Sequence, residues 1–355
     1  MNPKLCVTPR DTIRQAIAYM NENVKGIVLV VAPDGQLLGT VTDGDLRRAF
    51  LNGRNLETLV SELLADKQKS PHPTPVTAKC RSEHSILLQM MRHHCVNHLP
   101  LLDDDGRVVD LVTLKDLIPG RATPLKAVIM AGGYGMGLRP LTETVPKPLL
   151  LVGDRPLMER IIQQLHETGV RHVSITTYYL AEKIMEYFGD GRDFGVELSY
   201  LNEDSPLGTA GGLGLMPDFK GPLLVVNGDI LTEVNFRAML AYHEEHQAVL
   251  TVAVHKYDIE VPYGVVESDG PFVRSLVEKP SKSFFVNAGI YFLEPAARRY
   301  IPVGQRFEMT DLIQRLLLEG QPVVNFPILE SWLDIGRQAA YGRAQEIVGK
   351  GEVQT

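Results

Sequence analysis

The stretch LKAVIMAGGYGMGLRPLTETVPKPLL, residues 125–150, decides how the rest of the chain is read. Its opening, Lys126–Ala131, is a short apolar run of the kind that forms a buried strand. Gly132, Gly133, Gly135 and Gly137 follow directly. Glycines at this density let the backbone approach a ligand and aim N–H groups at phosphate oxygens. The spacing is neither the G-x-x-x-x-G-K-[ST] of a P-loop nor the G-x-G-x-x-G of a dinucleotide fold. Lys147 stands between Pro146 and Pro148, on stiff backbone that can hold its charge beside a phosphate. A strand running into such a loop predicts an open α/β sheet, whose ligands lie beyond the carboxyl ends of the strands.

Downstream, short apolar strands alternate with helical stretches. Candidate strands are His172–Thr177, Glu197–Leu201, Leu223–Asn227 and Leu250–Val254, and candidate helices lie near Arg155–Thr168, Ala181–Phe188 and Phe236–His246. That alternation predicts an α/β domain on a mostly parallel sheet. Upstream, the Pro/Gly break at residues 118–124 marks a change of periodicity. The chain therefore reads as a module over 1–118, a linker over 119–124 and a larger domain over 125–355.

The first module is an internal repeat. At a shift of 71 residues, Thr42–Leu46 falls on Thr113–Leu117 and Asp34-Gly35 on Asp105-Gly106. Each unit predicts a helix (Ile13, Ala16, Ile17, Met20 and Val24 near one-face spacing), a strand such as Ile27–Val31, an Asp-Gly turn, a second strand such as Leu37–Val41, and a helix opening after Thr42 or Thr113. So small a unit buries little alone, and two copies are expected to pack together.

Composition narrows the classes. The chain has 355 residues, 36 Lys plus Arg against 43 Asp plus Glu, and a net charge of −7. Mild acidity disfavours nucleic acid as a partner. No apolar run is long enough to span a membrane, and MNPKLCVTPRDT lacks a signal-peptide core, so a cytoplasmic protein is expected. Cys6, Cys80 and Cys95 are too few for a disulfide framework. His93, His94 and His98 have no carboxylate or cysteine at zinc-site spacing and read as surface or packing residues.

The repeat, with VTDGDLRR (41–48) and VTLKDL (112–117), resembles the tandem CBS module, an α+β regulatory fold. That resemblance implies adenine-nucleotide binding by the Thr-x-x-Asp pairs, Thr42 with Asp45 and Thr113 with Asp116. The physics is sensible, since a carboxylate can accept from both ribose hydroxyls and phosphate can sit at a helix N-terminus. The same pattern is also a capping box, which needs no ligand.

The larger domain resembles the sugar-1-phosphate nucleotidyltransferases. The resemblance rests on AGGYG (131–135), LRPLT (138–142), PKPLL (146–150), PLGTAGGL (206–213), VNGD (226–229), EKP (278–280), NAGIY (287–291) and WLDIG (332–336) in family order. It implies a Rossmann-like mostly parallel sheet and transfer of a nucleotidyl group to a hexose or hexosamine 1-phosphate. With a CBS pair ahead of it, the chain looks like the guanylyltransferases that activate glucosamine 1-phosphate for nonulosonic acid synthesis, which favours GTP. Carried over, Ala131, Gly132, Gly133, Gly135, Lys147, Gly208 and Thr209 meet the nucleotide, and Asp229 and Asp334 hold Mg2+. Glu278, Lys279, Asn287 and Gly289 meet the sugar phosphate, and Lys147, Asp229 and Lys279 are the catalytic set. Glu203 points to the same pocket, and Trp332 packs beside Asp334. Asp229 and Asp334 also suit a turn and a helix cap, and Glu278-Lys279 a solvated pair.

One departure stands out. The family loop reads G-G-x-G-[TS]-R-[LM], and Gly137 takes the place of its arginine. Arg139 is the nearest cation in sequence that could compensate. A catalytically weak nucleotide-binding sensor is therefore the alternative to an enzyme. An NAD-dependent dehydrogenase fails on the loop spacing. CBS pairs commonly associate, so a homo-oligomer is expected.

Overall fold

The computed structural model describes residues 5–23, 25–68, 73–94, 96–117 and 125–349. Val24, Cys95 and the linker 119–124 lie outside them. The chain divides into two compact units, Met1–Ala122 and Thr123–Thr355.

In the N-terminal unit, β1 (Cys6–Val7), α1 (Ile13–Asn23), β2 (Ile27–Val31), β3 (Leu37–Thr42), α2 (Asp43–Leu51) and α3 (Val60–Lys67) form the first repeat. The second comprises β4 (Ala78–Lys79), α4 (His84–His94), β5 (His98–Leu102), β6 (Val108–Thr113) and α5 (Leu114–Leu117). Each repeat carries a three-stranded sheet with a parallel first pair and an antiparallel second pair. Ile27 pairs with Thr42 as His98 pairs with Thr113, which is the sequence shift reproduced in register. The copies meet through their Asp-Gly turns. Leu37 N–H donates to Gly106 O and Val108 N–H to Gly35 O, and Leu5, Ile27, Leu29, Val108 and Leu111 form one shared core. Burial of apolar surface from both halves is what stabilises units too small to fold alone.

The C-terminal unit begins with β7 (Lys126–Met130), then β8 (Leu151–Val152), β9 (Arg155–Pro156), α6 (Leu157–Thr168), β10 (His172–Thr177), α7 (Ala181–Phe188) and β11 (Glu197–Asn202). There follow α8 (Gly208–Gly211), β12 (Leu223–Asn227), β13 (Ile230–Thr232), α9 (Phe236–Glu245), β14 (Leu250–Glu260), β15 (Val265–Asp269) and β16 (Phe272–Val277). The unit closes with β17 (Ser281–Leu293), α10 (Met309–Leu318), β18 (Val323–Pro327), β19 (Trp332–Asp334) and α11 (Gln338–Gly349). Seven strands make one sheet in the order β11-β10-β7-β12-β17-β14-β18. Only β17 runs against the others, so the sheet is mostly parallel.

Both faces of the sheet are covered, which explains the continuous apolar runs Ala127–Met130 in β7 and Leu223–Val226 in β12. Ala127, Ile129, Leu224 and Val226 pack with α6, α7 and α9, whereas Val128, Leu223 and Val225 pack with α8 and α10. Each fully buried aliphatic side chain contributes about 1.5–3 kcal/mol.

Two boundaries differ by more than one residue from those expected. The helix expected from Arg155 starts at Leu157, because Arg155–Pro156 pairs with Leu151–Val152 as a small ribbon. The strand expected to stop at Val254 runs on to Glu260, paired along β17 as an arm that leaves the buried sheet. Its outer residues Tyr257 and Ile259 are exposed, as are Phe272, Val273 and Leu276 on the adjoining β15–β16 hairpin.

Candidate active site

Chain order reverses between β7 and β12: β7 leads outward to β10 and β11, and β12 starts the other half of the sheet. Such a switch point leaves a crevice at the strand ends. The glycine loop follows β7, and the Asn-Gly-Asp turn follows β12. Gly228 N–H donates to Met130 O at 2.8 Å and joins them.

The loop is held at its ends and open along its length. Ala131 N–H donates to Thr176 O, and Leu138 N–H to Gly135 O. Between them, the N–H groups of Gly132, Gly133, Tyr134 and Gly135 donate to no group among the described residues. Gly135 has φ +63°, and a Cβ there would lie 2.8 Å from Thr142 Cγ2. Thr142 Oγ1 donates to Gly135 O at 2.8 Å. The Tyr134 ring packs against Tyr178 and Tyr179, an aromatic brace that sequence reading did not anticipate.

Lys147, in a 3-10 turn capped by Pro146, forms an ion pair with Asp229. Both side chains are largely sheltered, so the pair is less screened than one on the surface. Asp334 joins them through the β13–β19 ribbon, where Ile230 pairs with Asp334 and Ile335 N–H donates to Asp229 O at 2.9 Å. Burial, then the nearby charge of Asp229, raises the Asp334 carboxyl against the opposing pull of Lys147 and Arg337. Among the described residues no three His, Cys, Asp or Glu side chains could hold a metal ion together. Asp229 and Asp334 thus stand as a pair.

Asn287 and Gly289 border the same crevice. Gly289, at φ +70°, packs so closely on Asn227 that a Cβ would fall 2.6 Å from Nδ2. Asn287 Oδ1 accepts from Gly289 N–H at 3.0 Å. Burial pushes the Tyr291 phenol up to about 12, with the Asn287 hydrogen bond acting against it and the Asp229 charge adding to it. Asn227 Oδ1 is buried without a hydrogen-bond partner. Trp332 stacks on His255 and donates Nε1–H to Ala288 O at 2.9 Å, a packing role.

Other residues chosen from the sequence lie differently. The second glycine turn is built as a wall: Thr209 donates N–H and Oγ1–H to Glu308 Oε2, each at 2.9 Å, and Ala210 and Gly211 donate to Phe307 O. Glu308 also lies 2.7 Å from where a Gly208 Cβ would be, so Gly208 and Thr209 present no open amide row like that of the first loop. Glu203 sits between the two turns, with Oε2 accepting from Leu207 N–H at 2.8 Å and Oε1 close to both Gly132 and Gly212. Burial raises its pKa against the hydrogen bonds from Leu207 and Thr176.

Glu278 and Lys279 are exposed on the turn between β16 and β17, with Lys279 in the left-handed region at φ +45°. From Ser281 to Asn287 the chain is extended along β17, about 20 Å of strand. The structure does not bring this pair to the crevice beside Asn287.

In the N-terminal unit both Thr-x-x-Asp pairs form. Thr42 N–H and Oγ1–H donate to Asp45 Oδ2, and Thr113 repeats this on Asp116. Asp45 is also gripped by Lys67 at 2.6 Å and Arg48 at 2.8 Å, with its side chain 9% exposed. The Asp116 side chain is 52% exposed, with Lys25 Nζ at 3.8 Å. His98, at the start of β5, bonds Lys25 O through Nε2.

Unpaired amides beside a fixed lysine and two carboxylates, at the switch point of an open α/β sheet, have the chemistry that suits a polyphosphate. The chain belongs to the nucleotidyl transferase family, which it matches over residues 126–351. Residues 1–52 and 84–120 match the CBS domain. The chain is 35% identical over 222 residues to the mannose-1-phosphate guanylyltransferase catalytic subunit beta of Danio rerio, covering 60% of this chain and 61% of that protein. It is 33% identical over 241 residues to a UTP–glucose-1-phosphate uridylyltransferase of Synechocystis, covering 62% of each. The chain thus spans about three fifths of the length of these curated relatives. A crystal structure assigned as a glucose-1-phosphate thymidylyltransferase from Bacillus anthracis superposes with a TM-score of 0.52 at 25% identity, over 63% of this chain and 94% of that one. No helix among the described residues is long and apolar enough to cross a membrane.

Proposed function

We propose that this protein transfers a nucleotidyl group from a nucleoside triphosphate, GTP favoured, to a hexose or hexosamine 1-phosphate in the presence of Mg2+. The observation that carries this reading is the row of open amides from Gly132 to Gly135 beside the Lys147–Asp229 pair and Asp334. In the reaction, a sugar-phosphate oxygen forms a bond to the α-phosphorus. The bond from that phosphorus to the bridging oxygen breaks, and pyrophosphate leaves with the electron pair. Crowded negative oxygens make this a task of positioning and charge neutralisation, with no protein nucleophile.

The chain's residues divide that task. The loop amides hold the phosphate chain. Lys147 fixes Asp229 and places positive charge beside the phosphates. Asn287 and Gly289 border the space for the sugar. Asp229 and Asp334 would hold Mg2+, and their chemistry fits: hard carboxylate oxygens, close enough that one raises the other's pKa. When bound, the ion neutralises phosphate charge.

Guanine is favoured by two observations. The Danio rerio relative is a guanylyltransferase. Glu203 offers a carboxylate between the two glycine turns, able to accept from the paired N–H donors of a guanine edge; uracil and thymine offer one such donor.

The CBS pair is read as an adenine-nucleotide sensor that modulates turnover, with Thr113 and Asp116 the more accessible ribose site. We place the protein in the cytoplasm and as a homo-oligomer.

Pyrophosphate release should be measured across the four nucleoside triphosphates and a panel of sugar 1-phosphates with Mg2+, with and without AMP or ATP. Turnover with one pair is expected. Silence from folded protein that binds a triphosphate would replace this reading with the sensor alternative that Gly137 raises. Adenylate that binds without changing turnover would remove the regulatory part.

A further inference from the structure

The glycine loop contains no cation between Ala131 and Leu138, yet a leaving pyrophosphate needs positive charge near it. An arginine at position 137 has no room here. A Cβ on Gly137 would lie 2.2 Å from Gly336 O, so the loop and the segment after β19 touch backbone to backbone. The nearest side chain to that Cβ position belongs to Arg337, whose Cγ is 3.8 Å away. The Arg337 guanidinium makes no ion pair or hydrogen bond among the described residues, although its charge is felt by Asp334. Lys147, another cation beside the loop, is already paired with Asp229.

We infer that Arg337 is the phosphate-binding cation of this site, reaching the β- and γ-phosphates from the strand side of the loop and doing what no loop residue does. Arg139 is a weaker claimant. Its carbonyl accepts from Gln338 Nε2 at 2.7 Å, which ties its backbone to the start of α11, whereas Arg337 flanks the Gly137–Gly336 contact itself. The inference rests on the nucleotidyl transfer reading and adds to it a residue that neither the motifs nor the Asp pair supplies.

The test compares Kd for GTP and for GMP, with Mg2+ present, in the wild-type full chain and in Arg337→Ala, Arg337→Lys and Arg139→Ala. Arg337→Ala should weaken GTP about 10- to 100-fold and leave GMP within twofold, since GMP lacks the phosphates concerned. Arg337→Lys should retain part of the GTP affinity, because a point charge replaces a fork. Arg139→Ala should bind both as wild type does. Equal losses for GTP and GMP in Arg337→Ala, unchanged GTP affinity, or transfer of the selective loss to Arg139→Ala would each overturn the assignment. Wild-type protein that binds no triphosphate would instead sink the functional reading itself.

Discussion

The two halves of the crevice are built on different principles. On the nucleotide side the parts are locked before any ligand arrives: Gly135 is closed over Thr142, Lys147 is paired with Asp229, and Asp334 is fixed in a ribbon. On the sugar side only Asn287 and Gly289 are placed, while Glu278 and Lys279 stand on an exposed arm. The N-terminal unit repeats the contrast, with Asp45 locked by Lys67 and Arg48 and Asp116 half exposed. A locked group contributes to folding and to function together, and an open one to function alone. Substitutions should therefore separate the two kinds.

The largest effect should come from Asp229→Asn. Removing one charge from the Lys147–Asp229–Asp334 set should lower kcat at least about a hundredfold, because electrostatic contacts at the reacting phosphates dominate such catalysis. Steady-state pyrophosphate release with the wild-type substrate pair measures it; a loss under tenfold would mean that this half is not the centre of the chemistry. Next, Asp45→Ala should cost about 3 kcal/mol of stability, because it leaves the sheltered Lys67 charge with only the neutral Thr40 oxygens to accept from it among the described residues. Asp116→Ala should cost less than about 0.5 kcal/mol. Urea denaturation of the full chain reads both; equal losses would erase the contrast between the repeats.

The same pair predicts a pH dependence. Burial alone would raise the Asp45 carboxyl, but Lys67, the Thr42 N–H and Arg48 outweigh it and hold it below its ordinary value. A folded pKa below the unfolded one means that its stabilisation is present above the unfolded carboxylate pKa. It is lost as pH falls through the folded value. Melting temperature should thus drop on acidification more steeply in wild type than in Asp45→Asn; parallel curves would show that the ion pair contributes nothing. The smallest effect should be that of Lys279→Ala. If the arm only meets the sugar phosphate transiently, KM for that substrate should rise about three- to tenfold with KM for the triphosphate unchanged. A fall in kcat as large as that of Asp229→Asn would show that Lys279 belongs to the locked half.

Much of this is legible in the sequence. Leu223–Asn227 occupies the boundaries that its apolar run implies, since a strand buried on both faces announces itself by composition. The repeat and its Thr-x-x-Asp caps were equally plain, because capping is local. The pairings that decide the site join distant residues. Glu308 claims Thr209 from 99 positions away, and Lys147 meets Asp229 from 82 away. Nothing in PLGTAGGL shows that its amides are already taken. The arm was hidden for another reason: residues 255–260 mix charged and apolar side chains, so their pattern lacks the continuous apolar signal of the buried sheet.

The contact of Gly137 with Gly336 has a consequence for inheritance and for engineering. Two bare backbones in contact form a joint that neither side can alter alone. Any side chain introduced at 137 would displace the Gly336 carbonyl and, through it, Asp334, since a Cβ on Gly336 would itself lie 3.2 Å from the Asp334 carboxylate. A loop transplanted from an arginine-bearing relative will fit this scaffold only if residues 334–337 travel with it.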